Sequence, residues 1–455
     1  MHCFRMHALD RISPRPRAPI MQPVSPRHAP RTADMPAPSQ PKHSDYVSAQ
    51  EAVRLLDVRP QTLYAYVSRG WIRKLRQAGR KNGLYLREDV ERLNARSRAR
   101  SGHGAVAASA MHWGEPIIPT TITQITPEGP RYRGRLAVQL ARDGTPFEAV
   151  AELLWSGFLY DDLLRWPVSP LPSEVRRLIQ STTELRSNDQ LFEILAFVTL
   201  KLGIARGGIA ERVRSGRPVD AARQIIQVFV GCLAHLSRQR RFLPMRNGQS
   251  IVEGLLRSLG VAETAENREA IEAMLVLFAD HELSPGAFAA RVAASSGATL
   301  HSCIACAICT SSGVEVGRIY GRVEEFLAGA TGKAVLLRRA QEFQDRGSAV
   351  PGFVHPVYPK GDPRGLFLLD LAKRRARQSR RLEAIYGFVE DAREKLGIYP
   401  RHEIAAVALA IAMGIPAHSA AAVFMLARTA GWVAHVMEQR LSQGLLRPRA
   451  KFVEA

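Results

Sequence analysis

The sequence predicts a mainly α chain in which a small winged helix-turn-helix precedes a large helical domain. Two observations carry this. Beyond residue 110 the apolar residues recur at helical spacing between short Gly/Pro turns, with no strand–helix–strand rhythm and no glycine fingerprint for nucleotides. Between residues 44 and 95, two short helical patterns, a polar Gly-containing turn and a third helical start follow in the order of a winged helix-turn-helix. At 455 residues and 46% hydrophobic content, the chain can bury a large core and exceeds the usual length of one domain.

Residues 1–43 hold nine prolines and no hydrophobic periodicity, and are expected to be a disordered tail without assigned function. Order is expected from residue 44. Ser48 and Glu51 have the spacing of a capping box, opening a helix from Ser48 to Leu55 with Ala49, Ala52, Val53 and Leu56 on its apolar face. Pro60 suits the first position of a second helix, packed through Leu63, Tyr64, Tyr66 and Val67 and stopped by Gly70. Trp71-Ile72 and Leu84-Tyr85-Leu86 flank Arg80-Lys81-Asn82-Gly83 as a hairpin or wing, and Arg87 starts a third helix with Val90 and Leu93 inward. Residues 96–110, rich in small and basic side chains, read as a linker, leaving 111–455 as the large domain.

The formal charge of +21 favours a polyanionic partner. From Pro60 to Lys81 the basic residues Arg69, Arg73, Lys74, Arg76, Arg80 and Lys81 stand without an acidic one. They suit phosphate contacts, with Gln61 and Thr62 at the helix start able to reach base edges. A solvated basic face on a protein-contact module is the alternative. No stretch approaches the roughly 18 apolar residues that span a bilayer, so a soluble protein without a membrane partner is expected. Five cysteines without a regular framework point to a reducing compartment, the cytoplasm. Cys303, Cys306 and Cys309 form a C-x2-C-x2-C run inside an apolar pattern, read as buried packing residues rather than a metal site.

The segment YVSAQEAVRLLDVRPQTLYAYVSRGWI resembles the MerR and excisionase type of helix-turn-helix. In the large domain, FADHELSPGAFAARVAASSGA (278–298), GFVHPVYPKGDPRG (352–365) and ARTAGWVAHVMEQ (427–439) resemble signature motifs of the citrate synthase family. FEAVAELLWSG (147–157) and LLRPRAKFV (445–453) extend that likeness over some 320 residues. The resemblance implies an all-α fold with a large and a small subdomain, working as a homodimer. It also implies an acyltransferase that joins acetyl-CoA, or another acyl-CoA, to oxaloacetate as substrates, with no bound cofactor and no metal.

By the same likeness His281, Arg364, Arg428 and Arg447 match the oxaloacetate-binding positions, the last lent by the partner chain, and His355 matches the catalytic His that polarises the ketone. Guanidinium groups suit a dicarboxylate because they bind carboxylates bidentately. The enolising half departs from the pattern. Val316 stands where the family has a second catalytic His, and Glu403 stands in place of the proton-abstracting Asp. Valine forms no hydrogen bond, and the extra methylene of Glu shifts the base by about 1 Å, which can lower the rate roughly a hundredfold. Glu315 or His402 could substitute after a register shift, while His435 and Glu438 read as structural neighbours on one helix. Two functions therefore stay open: an acyltransferase impaired by Val316, or a non-catalytic dicarboxylate sensor that regulates through DNA.

Overall fold

The computed structural model describes residues 46–56, 58–68, 72, 74–75, 84–87, 89–91, 118–160, 164–181, 190–207, 218–375, 379–442 and 444–448. These fall into two compact units, one within residues 1–116 and the other within 117–452. The tail at 1–43, the linker at 96–110, and Arg69, Gly70, Trp71, Arg73, Arg76, Arg80, Lys81 and Leu93 lie outside the described residues.

In the first unit, strand β1 (Tyr46–Val47) leads into helices α1 (Ala49–Leu56) and α2 (Pro60–Ser68), followed by strands β2 (Lys74–Leu75) and β3 (Leu84–Leu86). Ser48 Oγ accepts the Glu51 amide at 3.2 Å, so the expected N-terminal cap forms. The Glu51 carboxylate instead accepts from Arg87 at 2.9 Å. The sheet order β1-β3-β2 is antiparallel throughout, and β1 as its third strand was not expected from sequence. Val47, Ala52, Leu56, Leu63, Ile72, Tyr85 and Val90 form the core. Tyr64, expected to pack, is 54% exposed, because Leu63 and the next helical turn, Tyr66 and Val67, already cover the one inward face of α2. Of the candidate nucleic-acid contacts, Gln61 and Lys74 are exposed and Thr62 is half-buried.

The second unit begins with an antiparallel sheet, β4 (Thr123–Thr126), β5 (Gly129–Tyr132) and β6 (Arg135–Leu136), which the helical reading did not foresee. Helices follow in order: α3 (Ala137–Arg142), α4 (Phe147–Ser156), α5 (Ser173–Ser181), α6 (Leu191–Ala205) and α7 (Pro218–Cys232). Next come α8 (Ile251–Leu259), α9 (Ala265–Phe278), α10 (Pro285–Ser295), α11 (Leu300–Ser311) and α12 (Ile319–Leu327). The last are α13 (Lys333–Asp345), α14 (Pro363–Arg375), α15 (Arg380–Leu396), α16 (His402–Met413) and α17 (Ser419–Leu441). A mainly helical architecture is thus observed, with one continuous apolar core.

Helix α17 organises that core, packing on α4, α7, α9, α10 and α11. It has 23 residues, and its most apolar 18-residue stretch, at mean hydropathy 1.3, would suffice by length and composition to cross a membrane, but 94% of that stretch is buried inside the fold. Its end is fixed by Glu438, which accepts from Thr120 Oγ1 and the Thr121 amide, each at 2.8 Å, and pairs with buried Arg291 at 3.0 Å. His435 Nε2 lies 3.4 Å from buried Asp280. Glu438 therefore ties the end of α17 to residues 120–121 and to α10.

Cys303 is buried, but Cys306 and Cys309 are exposed, a correction to the packing role expected for all three. Each three-residue step on a helix turns about 60° short of a full circle, so the run drifts off the buried stripe of α11. Among the described residues no group of His, Cys, Asp or Glu is placed to hold a metal ion.

A buried site built by five segments

His281 follows the C-terminus of α9, His355 stands on the loop before α14, Arg364 is on the first turn of α14, Glu403 is on the first turn of α16, and Arg428 is mid-way along α17. Two glycines allow these segments to meet. A Cβ at Gly431 would lie 2.5 Å from the Ala279 carbonyl oxygen, so only glycine lets α17 press against the turn that carries His281. A Cβ at Gly365 would lie 2.8 Å from the Arg401 carbonyl oxygen, and its absence lets α14 sit on the start of α16.

Both histidine segments are strained. Glu282, next to His281, has φ 53°, and Val354, next to His355, has φ 60°. A β-branched residue is a poor occupant of the left-handed region, which costs about 1–2 kcal/mol. Val354 is held there by the hydrogen bond that its backbone N–H donates to the Tyr399 carbonyl at 3.0 Å. Val354→Gly is therefore expected to stabilise the fold by about 1 kcal/mol, raising the thermal midpoint by about 2 °C, read by calorimetry. An unchanged or lower midpoint would show the strain to be absent.

The two histidines share one aromatic cluster. Their ring centroids are 5.6 Å apart, and Tyr358 lies 5.7 Å from His281 and 5.0 Å from His355. His281 Nε2 and Tyr358 Oη are joined by a 3.3 Å hydrogen bond. Burial, reinforced by Arg364, lowers the pKa of His355 to about 4, and burial with Arg364 and Arg428 holds His281 well below the usual histidine range. Both rings are therefore neutral near pH 7. The Val357 amide donates to His355 Nδ1 at 3.1 Å, which leaves the single ring proton on Nε2. His355 thus offers an N–H donor, the form needed to polarise a carbonyl oxygen.

Arg364 is 1% exposed. Its Nε and Nη2 donate to Asp362 Oδ1 and Oδ2 at 3.0 and 2.7 Å, while Nη1 is buried without a hydrogen-bond partner. Burial alone would raise the Asp362 pKa, but Arg364 and His402 reverse that and hold it well below the ordinary carboxylate range. His402 Nδ1 lies 3.0 Å from Asp362 Oδ2. Arg428 is equally buried; its Nε donates to the Phe278 carbonyl at 2.7 Å and its guanidinium lies 4.8 Å from the Phe424 ring centre.

Glu403 is 2% exposed and joined to Arg401 through two hydrogen bonds, of 3.0 and 2.5 Å. Burial would raise its pKa, yet His402 and Arg401 outweigh it and keep the carboxyl ionised below its ordinary range. The Phe278 ring links the groups, 5.3 Å from His402 and 5.9 Å from Phe424.

The fold thus gathers His281, His355, Arg364, Glu403 and Arg428. Arg447 is exposed on the segment after α17 and does not join them within this chain. Val316 lies in the turn before α12, partly buried against the core. Glu315 does not replace a missing acid, because it points to solvent with 84% of its side chain exposed. Asp362, Tyr358, Arg401 and Tyr320 were not singled out from sequence; the first two lie inside the quoted 352–365 motif, where a carboxylate two residues before Arg364 was an available signal.

The family model for the C-terminal domain of citrate synthase matches residues 111–449. The chain is 30% identical over 221 residues to a citrate synthase of Haloferax volcanii, covering 48% of this chain and 55% of that protein. It is 28% identical over 203 residues to a 2-methylcitrate synthase of Shewanella oneidensis, covering 43% and 52% respectively. The matched region spans about half the length of these curated relatives. Among solved structures, citrate synthase from Thermotoga maritima superposes with a TM-score of 0.60 at 24% identity, over 75% of this chain and 94% of that one.

 

A further solved structure, the ternary complex of carboxymethyl coenzyme A and oxaloacetate with citrate synthase from Thermoplasma acidophilum, superposes with a TM-score of 0.66 at 20% identity, over 77% of this chain and 97% of that one. At these identities the structural likenesses establish the fold.

Proposed function

The chain belongs to the citrate synthase family, and on that premise we propose that it is an acyltransferase condensing acetyl-CoA, or another acyl-CoA, with oxaloacetate. One observation carries the reading: His281, His355, Arg364 and Arg428 surround one buried site in which Arg364 Nη1 has no partner and His355 offers an Nε2–H. A buried guanidinium N–H without an acceptor is destabilising until an anion fills it. A dicarboxylate supplies that acceptor, and its ketone oxygen suits the His355 donor.

In this reading Glu403 removes a methyl proton from the acyl group and His355 polarises the ketone. Arg447 completes the site from a second copy of the chain. A homodimer is supported by the apolar stripe of Phe197, Leu200 and Ile204, 53%, 42% and 68% exposed along α6. A cytoplasmic setting is supported by the free thiols Cys232, Cys303, Cys306 and Cys309. DNA contact belongs to the same proposal: for Lys74, Arg69, Arg73, Arg76, Arg80 and Lys81 it rests on charge alone, and for Gln61 and Thr62 on their place in the first turn of α2.

The purified chain, given oxaloacetate and acetyl-CoA, is expected to release free CoA detectable with a thiol reagent, above an Arg428→Ala control. Calorimetric titration with oxaloacetate accompanies that assay. Binding without turnover of any acyl-CoA would favour the sensor instead, and absence of both would remove the reading.

A further inference from the structure

We propose that the hydroxyl of Tyr320 takes over the hydrogen-bond task that Val316 cannot perform, donating to the thioester carbonyl oxygen as that oxygen gains negative charge. The proposal rests on the acyltransferase reading above. Tyr320 is the second residue of α12, four positions beyond Val316, which lies in the turn that leads into this helix.

Three observations support it. Tyr320 is 1% exposed, and its Oη has no hydrogen-bond partner. Buried hydroxyls are nearly always paired, and an orphan is tolerated where a ligand completes it. Its ring packs 5.4 Å from Phe424, 6.1 Å from His402 and 6.5 Å from Phe278, the layer that also carries Arg428 and meets Arg364 through His402. The charged groups acting on it are Glu403, Arg428, Arg364 and Arg401, the same groups that build the site. Burial first, then Glu403, raises its pKa well above the usual phenol range, so it stays a donor.

The Glu403 carboxylate takes a proton from the acyl methyl carbon, and the C–H electron pair forms a C=C bond while the thioester oxygen becomes an enolate oxygen. Tyr320 Oη–H holds that oxygen by a hydrogen bond and keeps its proton. The pair then returns through carbon to form the C–C bond with the ketone carbon of oxaloacetate. The ketone oxygen takes the His355 Nε2 proton, and the proton held by Glu403 returns through water to restore the ring; water then adds to the thioester carbonyl carbon, the C–S bond breaks, and CoA leaves as the thiol with a proton from that water.

Tyr320→Phe removes only the hydroxyl. Turnover, read as CoA release, should fall by about 10²–10³-fold, as for loss of one oxyanion donor. Oxaloacetate affinity by calorimetry should stay within about threefold, and the thermal midpoint should be unchanged or higher because an unpaired buried group is gone. Val316→His in the Tyr320→Phe background should recover at least about tenfold of the lost rate, a rescue that a packing role for the ring would not produce. Turnover of Tyr320→Phe within about twofold of the parent would overturn the assignment while leaving the acyltransferase reading intact. A parallel collapse of oxaloacetate affinity overturns it too, by placing the hydroxyl on the dicarboxylate. A parent chain that releases no CoA overturns both, since no enolate then forms.

Discussion

Glu403→Gln should lower the rate of CoA release by about 10³-fold, while oxaloacetate affinity stays within about threefold. Glutamine keeps the shape of the side chain but cannot take a proton at neutral pH. Arg401, which binds both carboxylate oxygens, can keep one acceptor, and with 24% of its side chain exposed it reaches water for the other. The fold should therefore lose only about 1–2 kcal/mol, so lost turnover would report chemistry rather than unfolding. The check is steady-state kinetics beside calorimetric binding. A variant that retains a tenth or more of the rate would assign the base elsewhere.

The pH dependence follows from the same geometry. Glu403 titrates below its ordinary value of 4.5 in the folded chain, so its ionised form stabilises the fold fully above that pH, and the contribution is lost as pH falls through the lower folded value.

Arg364→Ala carries the second large effect, because the substitution strips the counter-charge from Asp362, which is 0% exposed. Removing one member of a buried ion pair typically costs about 3–5 kcal/mol. Oxaloacetate affinity should fall by about 10²-fold or more as the Nη1 donor disappears. Adding Asp362→Asn should restore much of the stability, by removing the stranded carboxylate, but none of the affinity. Denaturant unfolding of the single and double variants, with calorimetry on each, separates the two losses. Equal affinity for parent and Arg364→Ala would exclude Arg364 from the ligand.

The part of the site that was legible in sequence lies in short segments whose side chains have few alternatives. Asp362-Pro363-Arg364 is such a segment: proline suits the start of α14, and the guanidinium follows at once. His281, His355 and Arg428 were found the same way, on matched motifs. Some of the groups that were missed depend on packing across helices. His402 meets Asp362 only because α16 is seated on α14 at Gly365, whereas the Arg401–Glu403 pair is local, two residues apart, and carried no motif that marked it. Tyr320 has no local signal, since its meaning comes from an empty hydrogen-bond position that no spacing reveals.

The same limit governs the fold. The helical periodicity of 111–455 was readable because tertiary packing reinforces it, whereas the short strands of β4 to β6 span two to four residues each, too few for alternation to show. Tyr64 and the outer cysteines of α11 were misplaced because composition does not say which side of a short helix meets a partner.

The pairing of every site cation with an internal carboxylate has a kinetic consequence. Arg364 is balanced by Asp362, Arg401 by Glu403, and Asp280 is the carboxylate that acts most strongly on Arg428. The interior is therefore close to electroneutral before any substrate arrives, and it casts little field into solvent. Long-range attraction of an anion belongs to the outer surface and its +21 formal charge, where salt screens it beyond about 10 Å. Ionic strength should accordingly govern how often a dicarboxylate reaches the mouth of the site and have little hold on how long it stays.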